Sequence, residues 1–316
     1  MCRVQATRTS RVSQLKPNRI VLHCGLHKTG STYIQRNLQS NRDLLLKQGV
    51  LYLGPTTFKK RCSELWHHLQ WGGRNRKTPS QLRSQTQTSL LNLAGDHPEN
   101  IHTIVLSFEA IFGTLSSGLV EPYRKKAPNK EHKMGLYRHA RSRTKRLMRG
   151  LEESLDHNTI QWTILFASRT HEVFIRSCHT QLLKEGQHTP ETSHFDTFRK
   201  TANFSYSNPQ KLTETLKKVS KKREVNIINI NYEKASDPRE PSTFLWNVLK
   251  QALPQQSDLL RQQIEANINN DNLNKTPNPG LNERGLELAI QARPMFSRSE
   301  WKLFRKFLEK NFAKSP

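Results

Sequence analysis

The 316-residue chain has no apolar run long enough to cross a bilayer. Its longest runs, Ile20–Leu26 and Ile101–Leu106, fall far short of the roughly 20 residues a membrane helix needs, so no membrane partner is expected. Cysteine is scarce as well: Cys2, Cys24, Cys62 and Cys178 lie far apart with no CxxC spacing. That argues against a zinc ribbon or a disulfide framework and fits single reduced thiols in a cytoplasmic chain. His67, His68, His97 and His102 have neither paired ligand spacing nor a carboxylate cluster, so they read as surface histidines and no metal is expected. Acid is the largest deficit: 26 Asp and Glu stand against 51 Lys and Arg, a formal charge of +25. Residues 1–18 hold Arg3, Arg8, Arg11 and Lys16, no acid and no secretory apolar run. They read as a flexible basic tail, with an organellar transit peptide as the alternative.

Against this polar background five apolar segments stand out. Arg19–Gly25, Ile101–Ser107, Ile160–Ser168 and Val225–Asn231 read as buried strands, and Val50–Leu53 as a shorter one. Helical spacing lies between them. Ile34, Leu38 and Leu45 line one helix closed by Gly49, and Ala140, Leu147, Leu151 and Leu155 line another within Met134–Leu155. Further helices are expected at His171–Lys184, Pro209–Lys222 and Pro241–Leu253, with residues 281–314 wholly helical and Asn267–Pro279 a loop. Residues 54–100 carry no readable pattern. Alternating strands and helices predict an α/β sheet, mostly parallel, with its ligand beyond the carboxyl ends of the strands. Residues 19–314 read as one domain.

The first strand runs into Gly25-Leu26-His27-Lys28-Thr29-Gly30-Ser31-Thr32 just where a helix begins. Backbone amides in such a turn, with about half a positive charge from the helix end, make an anion nest. Lys28 adds a full charge; Ser31 and Thr32 add hydroxyl donors. The nucleotide-triphosphatase pattern GxxxxGK[ST] fits poorly, because Ser31 falls where its lysine belongs. No strand ends in the apolar run plus Asp that holds magnesium in such enzymes.

His27-Lys28-Thr29-Gly30-Ser31-Thr32-Tyr33 resembles the 5′-phosphosulfate loop, [PH]-K-[ST]-G-[ST]-T-[WY], of sulfotransferases that use 3′-phosphoadenosine 5′-phosphosulfate (PAPS). The wording GLHKTGST looks most like their bacterial-type branch. That family has a second element, an arginine at a strand end and a serine eight residues later, both on the cofactor's 3′-phosphate. Arg169 and Ser177 stand at that spacing. If Thr170 caps the helix bearing Phe174, Cys178 and Leu182, Ser177 returns to its face two turns on. The resemblance spans Ile20 to about Lys184. It implies a three-layer, P-loop-like fold, PAPS as donor without a metal, and cofactor contacts from Lys28, Thr29, Gly30, Ser31, Thr32, Arg169 and Ser177. It also implies a hydroxyl or amine acceptor, an acidic glycan or a small molecule. The segment Asn274–Leu288 lacks the RKGxxG of the small-molecule branch.

Sulfuryl transfer needs alignment, a proton acceptor and neutralisation of the leaving group. Lys28 is placed to stabilise the bridging oxygen. Glu109, just past the strand ending at Ser107, is the candidate base; the alternative is a solvated glutamate starting a helix. His27 and His132 are further candidates, and His27 can instead shape the loop. Arg124–Arg149 holds eleven Lys and Arg against the single acid Glu131, a strip that attracts polyanions such as an acidic acceptor. A solvated basic face accounts for it equally well. Two rival functions stay open: a P-loop kinase or NTPase-like enzyme, and a basic nucleic-acid-binding protein, although no helix-turn-helix, zinc or RNP signature accompanies the charge.

Overall fold

A computed structural model describes residues 15–71, 79–119, 135–156, 159–220, 223–236, 242–268 and 280–314. Five strands, β1 (Arg19–His23), β2 (Val50–Leu53), β3 (Thr103–Ser107), β4 (Gln161–Ser168) and β5 (Val225–Asn231), form one sheet in the order β2-β3-β1-β4-β5. Every pair is parallel. Parallel sheets need cover on both faces, and the near-continuous apolar runs of β1, β3 and β4 provide for it.

The helices up to β3 are α1 (Ser31–Ser40), α2 (Arg42–Lys47), α3 (Pro55–Arg61), α4 (Ser63–Trp71) and α5 (Pro79–Ala94). Between β3 and β5 come α6 (Leu115–Leu119), α7 (Ala140–Leu155), α8 (His171–Lys184), α9 (Pro190–Ser193), α10 (Phe195–Thr201) and α11 (Pro209–Lys217). After β5 come α12 (Tyr232–Ala235), α13 (Ser242–Ala252), α14 (Ser257–Ile268), α15 (Glu283–Ala292) and α16 (Arg298–Asn311). Successive side chains on a strand point to opposite faces, which divides the core in two. Ile20, Leu22, Ile104, Ile164 and Phe166 pack with Leu65, Leu90, Leu147, Leu151 and Phe174 of α4, α5, α7 and α8. Val21, Val105, Leu165 and Ala167 pack with Ile34, Leu45, Leu245 and Leu260 of α1, α2, α13 and α14. The result is a sheet between two helical layers. Among the described residues no helix is long and apolar enough to cross a membrane.

Several expectations shift at their edges. The helix expected through Gly49 breaks at Asn41 into α1 and α2. β1 stops at His23, so the loop is longer than expected. β5 is not a buried strand: it forms the sheet edge, and Asn226, Asn229 and Asn231 are exposed. Residues 281–314 are not one helical run, because a turn at Arg293–Met295 with Pro294 ends α15 and Ser297 caps α16 anew. Among the described residues the unread stretch 54–100 holds α3, α4, α5 and a short helical turn at Pro98–Asn100; Leu82, Thr86, Leu90 and Ala94 form the buried stripe of α5, and polar Thr86 masks its period. Leu15 is buried in the core, inside the expected tail, while residues 1–14 lie outside the described residues. So do Met134, His132, Pro241 and most of the expected loop Asn267–Pro279.

In this strand order, the connection after β1 runs toward β2 on one side and that after β4 toward β5 on the other. Adjacent strands whose connections diverge open a crevice at their carboxyl ends, the usual ligand position in such sheets. The C-terminal helices brace one wall of it: Trp301 Nε1 donates to Lys184 O at 3.2 Å and Arg293 Nε to Gly186 O at 2.7 Å. Both bonds satisfy carbonyls left open at the end of α8.

Ile164, fully buried in the interior strand β4, sets the expected response of the core. Ile164→Ala should cost about 2–5 kcal/mol in urea denaturation, and Leu303→Ala on exposed α16 less than about 0.5 kcal/mol. Equal effects would contradict this assignment of the core.

Candidate functional site

The β1–α1 loop is bent by two left-handed residues, Lys28 at φ 64° and Gly30 at φ 73°. Glycine reaches that region freely, whereas a lysine there is held by its surroundings. Gly30 precedes α1 with no side-chain cap, and the first turn of α1 holds no acid. Its first amides are left for solvent or a ligand. A Cβ on Gly25 would meet Ser31 Oγ at 1.7 Å and Ser31 Cβ at 2.7 Å, so only glycine lets the start of α1 close on the loop. Ser31 Oγ is buried there without a hydrogen-bond partner. An unsatisfied buried hydroxyl costs roughly 1–3 kcal/mol unless something meets it.

Arg169 leaves the end of β4 and reaches this loop. Its Nη1 donates to Lys28 O at 3.2 Å and to Ser177 Oγ at 3.4 Å. Its Nε donates to Glu233 Oε1 at 3.0 Å, and its guanidinium lies 4.9 Å from the Tyr232 ring centroid. Glu233 also accepts from Thr170 N–H at 3.2 Å. Thr170 therefore sits at the cap of α8 without capping it by its own side chain. Glu233 and Tyr232 escaped the sequence reading. Their one available signal was position, immediately after the last strand.

Lys28 Nζ donates to Gln181 Oε1 of α8 at 3.2 Å. Burial, then Lys184 nearby, lowers the Lys28 pKa from its ordinary value. Glu109 opens the turn Glu109–Ile111, with its Oε2 3.6 Å from His27 Nδ1. His27 Nε2 lies 3.3 Å from Gly113 O; a carbonyl only accepts, so this nitrogen carries the proton. His27 N–H donates to Tyr137 Oη at 2.9 Å and the two rings stack. These bonds make His27 a brace of the loop. Thr29 Oγ1 donates to Leu26 O at 2.7 Å, turned inward.

His27, Lys28, Gly30, Ser31, Thr32, Glu109, Arg169 and Ser177 all line one cavity of about 1700 Å³. Among the described sequence candidates only Thr29 does not. Among the described residues no His, Cys, Asp or Glu side chains gather in threes as a metal site would require. Comparison of the chain with family models, with characterised proteins and with solved structures finds no match.

Below the loop His23 is fully enclosed, its Nδ1 2.7 Å from Ser107 Oγ. Burial pushes its pKa down to about 4, the Glu109 charge opposing. The unfolded value is near 6.5, so the unfolded chain binds the extra proton and the stability from neutral His23 is lost as pH falls from 6.5 toward 4. His23→Asn should flatten that part of the stability–pH curve by roughly 3 kcal/mol relative to wild type, measured by denaturant titration. Parallel curves would contradict the buried neutral histidine.

Proposed function

We propose that this cavity binds PAPS and that the chain transfers its sulfuryl group to a hydroxyl or amine acceptor on a P-loop-like scaffold. The observation that carries the reading is the convergence of Arg169 and Ser177 on the Lys28 loop across the β1/β4 crevice. A ligand with anionic groups at two ends would meet a cation at each. The residues fit the donor. The uncapped amides of α1 and the unpartnered Ser31 Oγ suit a 5′ anion. The planar fork of Arg169, with the Ser177 hydroxyl, suits a second phosphate.

PAPS supplies a sulfuryl group on a phosphate leaving group. Lys28 brings its ammonium to the loop and offsets the charge a departing phosphate acquires. Glu109, beside the loop and at the cavity wall, takes the acceptor's proton as the acceptor–sulfur bond forms and the sulfur–oxygen bond to phosphate breaks. His27, tied to Gly113 O and Tyr137 Oη, keeps loop and carboxylate in register. Glu109 and Glu233 lie beside His27 and Arg169.

Thermal shift separates the readings. Adenosine 3′,5′-bisphosphate without magnesium should stabilise the protein, by about 2.7 kcal/mol at a hundred times its Kd. Greater stabilisation by ATP with magnesium would favour the kinase and overturn the proposal; a response confined to oligonucleotides would favour the nucleic-acid binder. Arg169→Ala should weaken the bisphosphate about tenfold or more. Lys28→Ala should abolish turnover while keeping more of that affinity than Arg169→Ala does. Unchanged bisphosphate affinity in Arg169→Ala would remove the assignment.

A further inference from the structure

The three most exposed large apolar side chains among the described residues, Met295 at 79%, Leu303 at 70% and Phe307 at 50%, fall on α16 and the turn before it. Apolar residues scattered singly over a surface are ordinary, whereas a cluster marks a contact. Leu303 and Phe307 stand one turn apart on one face of the helix. Beside them Arg298, Lys302, Lys306 and Lys310 recur every fourth residue, all exposed. Among the described residues none of these four cations has an acidic partner. The acids of α16 are engaged elsewhere: Glu300 closes the capping box with Ser297, and Glu309 Oε1 lies 2.8 Å from Lys184 Nζ and 3.6 Å from Arg305 Nε.

The opposite side of α16 holds this face outward. Trp301 and Leu308 are buried with Leu281 and Ala289 in a small core of their own, and the bonds of Trp301 and Glu309 to Lys184 tie the helix to α8. None of the exposed apolar tips or the four cations lines the cavity. The face is therefore a second feature of the molecule, with an apolar strip and a basic strip side by side.

We propose that this face of α16 docks the protein on an anionic phospholipid surface. The helix lies flat among the headgroups, with Leu303, Phe307 and Met295 inserted and the cations on lipid phosphates. Such a helix needs an apolar strip flanked by Lys and Arg but no spanning length, so the shortness of the apolar runs does not bear on it. The long lysine side chains can keep their ammonium groups at the headgroup level while the apolar tips go deeper. Other occupants fit less well. An exposed helix face is convex, and a bilayer interface yields around protruding tips where a folded partner would need a matching groove. A second copy laid face to face would set four cations against four. Nucleic acid would stack on aromatic rings, but Phe307 already lies nearly parallel to Phe304 at 5.9 Å, and Met295 and Leu303 are aliphatic. Docking uses no cavity residue, so it stands apart from the donor reading.

Co-sedimentation of the full chain with vesicles of phosphatidylserine and phosphatidylcholine in equal parts, and with vesicles of phosphatidylcholine alone, tests this. The acidic vesicles should bind at least about tenfold more tightly, with the advantage falling as salt rises. A strongly basic chain meets acidic vesicles through many faces, so the variants decide. The double variant Lys302→Ala/Lys306→Ala should weaken binding about tenfold or more, and Leu303→Ser about tenfold, because an inserted leucine is lost. Lys217→Ala/Lys218→Ala, the same charge change on exposed positions at the end of α11, should weaken it less than about threefold. Leu303 is exposed, so its variant keeps the wild-type melting temperature and bisphosphate affinity. Equal binding of the two vesicles, full affinity in Leu303→Ser, or equal losses in the two lysine pairs overturns the proposal. A dimer in light scattering that Leu303→Ser disperses overturns it in favour of a second copy. Tighter binding of a single-stranded oligonucleotide or an acidic peptide, lost in the α16 variants, overturns it in favour of that partner.

Discussion

The pairing of β1 with β4, from Arg19 opposite Gln161 to His23 opposite Leu165, decides where the charged groups of the cavity stand. Parallel pairing brings both carboxyl ends to the same edge of the sheet. The chain leaves β1 in one direction and β4 in the other, so the two loops face each other across a gap that no connection crosses. Lys28 sits in the first loop and Arg169 opens the second, and the bond from Arg169 to Lys28 O joins them. Cations brought this close require compensation. Glu233 supplies part of it, from the strand next to β4, because β5 pairs with β4 through Asn231 and delivers Tyr232 and Glu233 at the same level.

The parts of this arrangement legible in the sequence are those fixed by local chemistry. β1, β3 and β4 lie within the buried runs expected, because strands covered on both faces must be apolar throughout. The limits of α8 were likewise readable, as Phe174, Cys178 and Leu182 form its buried stripe. Positions fixed by distant partners were not readable. α5 hides its period because Thr86 is buried among leucines. β5 looks like a core strand by composition, and only the sheet order makes it an edge. Within the site, the motif spacing located Lys28, Ser31, Arg169 and Ser177 at one cavity, while Glu233, Gln181 and Tyr137 act through long-range contacts that leave no local pattern. Thr29 shows the converse: its place in the motif is explained by its bond to Leu26 O, which holds the loop's shape.

The loop is rigid for reasons that bear on any anion it holds. Gly25 is packed so closely against Ser31 that a side chain cannot be added, and Thr29, His27 and Arg169 each tie one of its carbonyls or amides to a neighbour. A preorganised nest does not have to reorganise as charge develops on a bound group, which is where most electrostatic stabilisation of a transition state originates. Lys28 is its adjustable member. Its backbone is fixed at a left-handed angle, but its side chain rests on an amide oxygen, Gln181 Oε1, and not on a carboxylate. A neutral acceptor holds an ammonium weakly enough for an anion to claim it.

The segment 109–113 lies between the loop and α7. Glu109 faces the loop, Gly113 O faces His27, and Ala110 O meets Arg143. A displacement of Arg143 would act on the same five-residue stretch that sets the Glu109 carboxylate against His27. The chain has few acids, and one of them stands between two groups of cations. Its neighbour His27 meets the Gly113 carbonyl, and Arg169 is held by Glu233. Glu109 stands at the cavity wall beside His27.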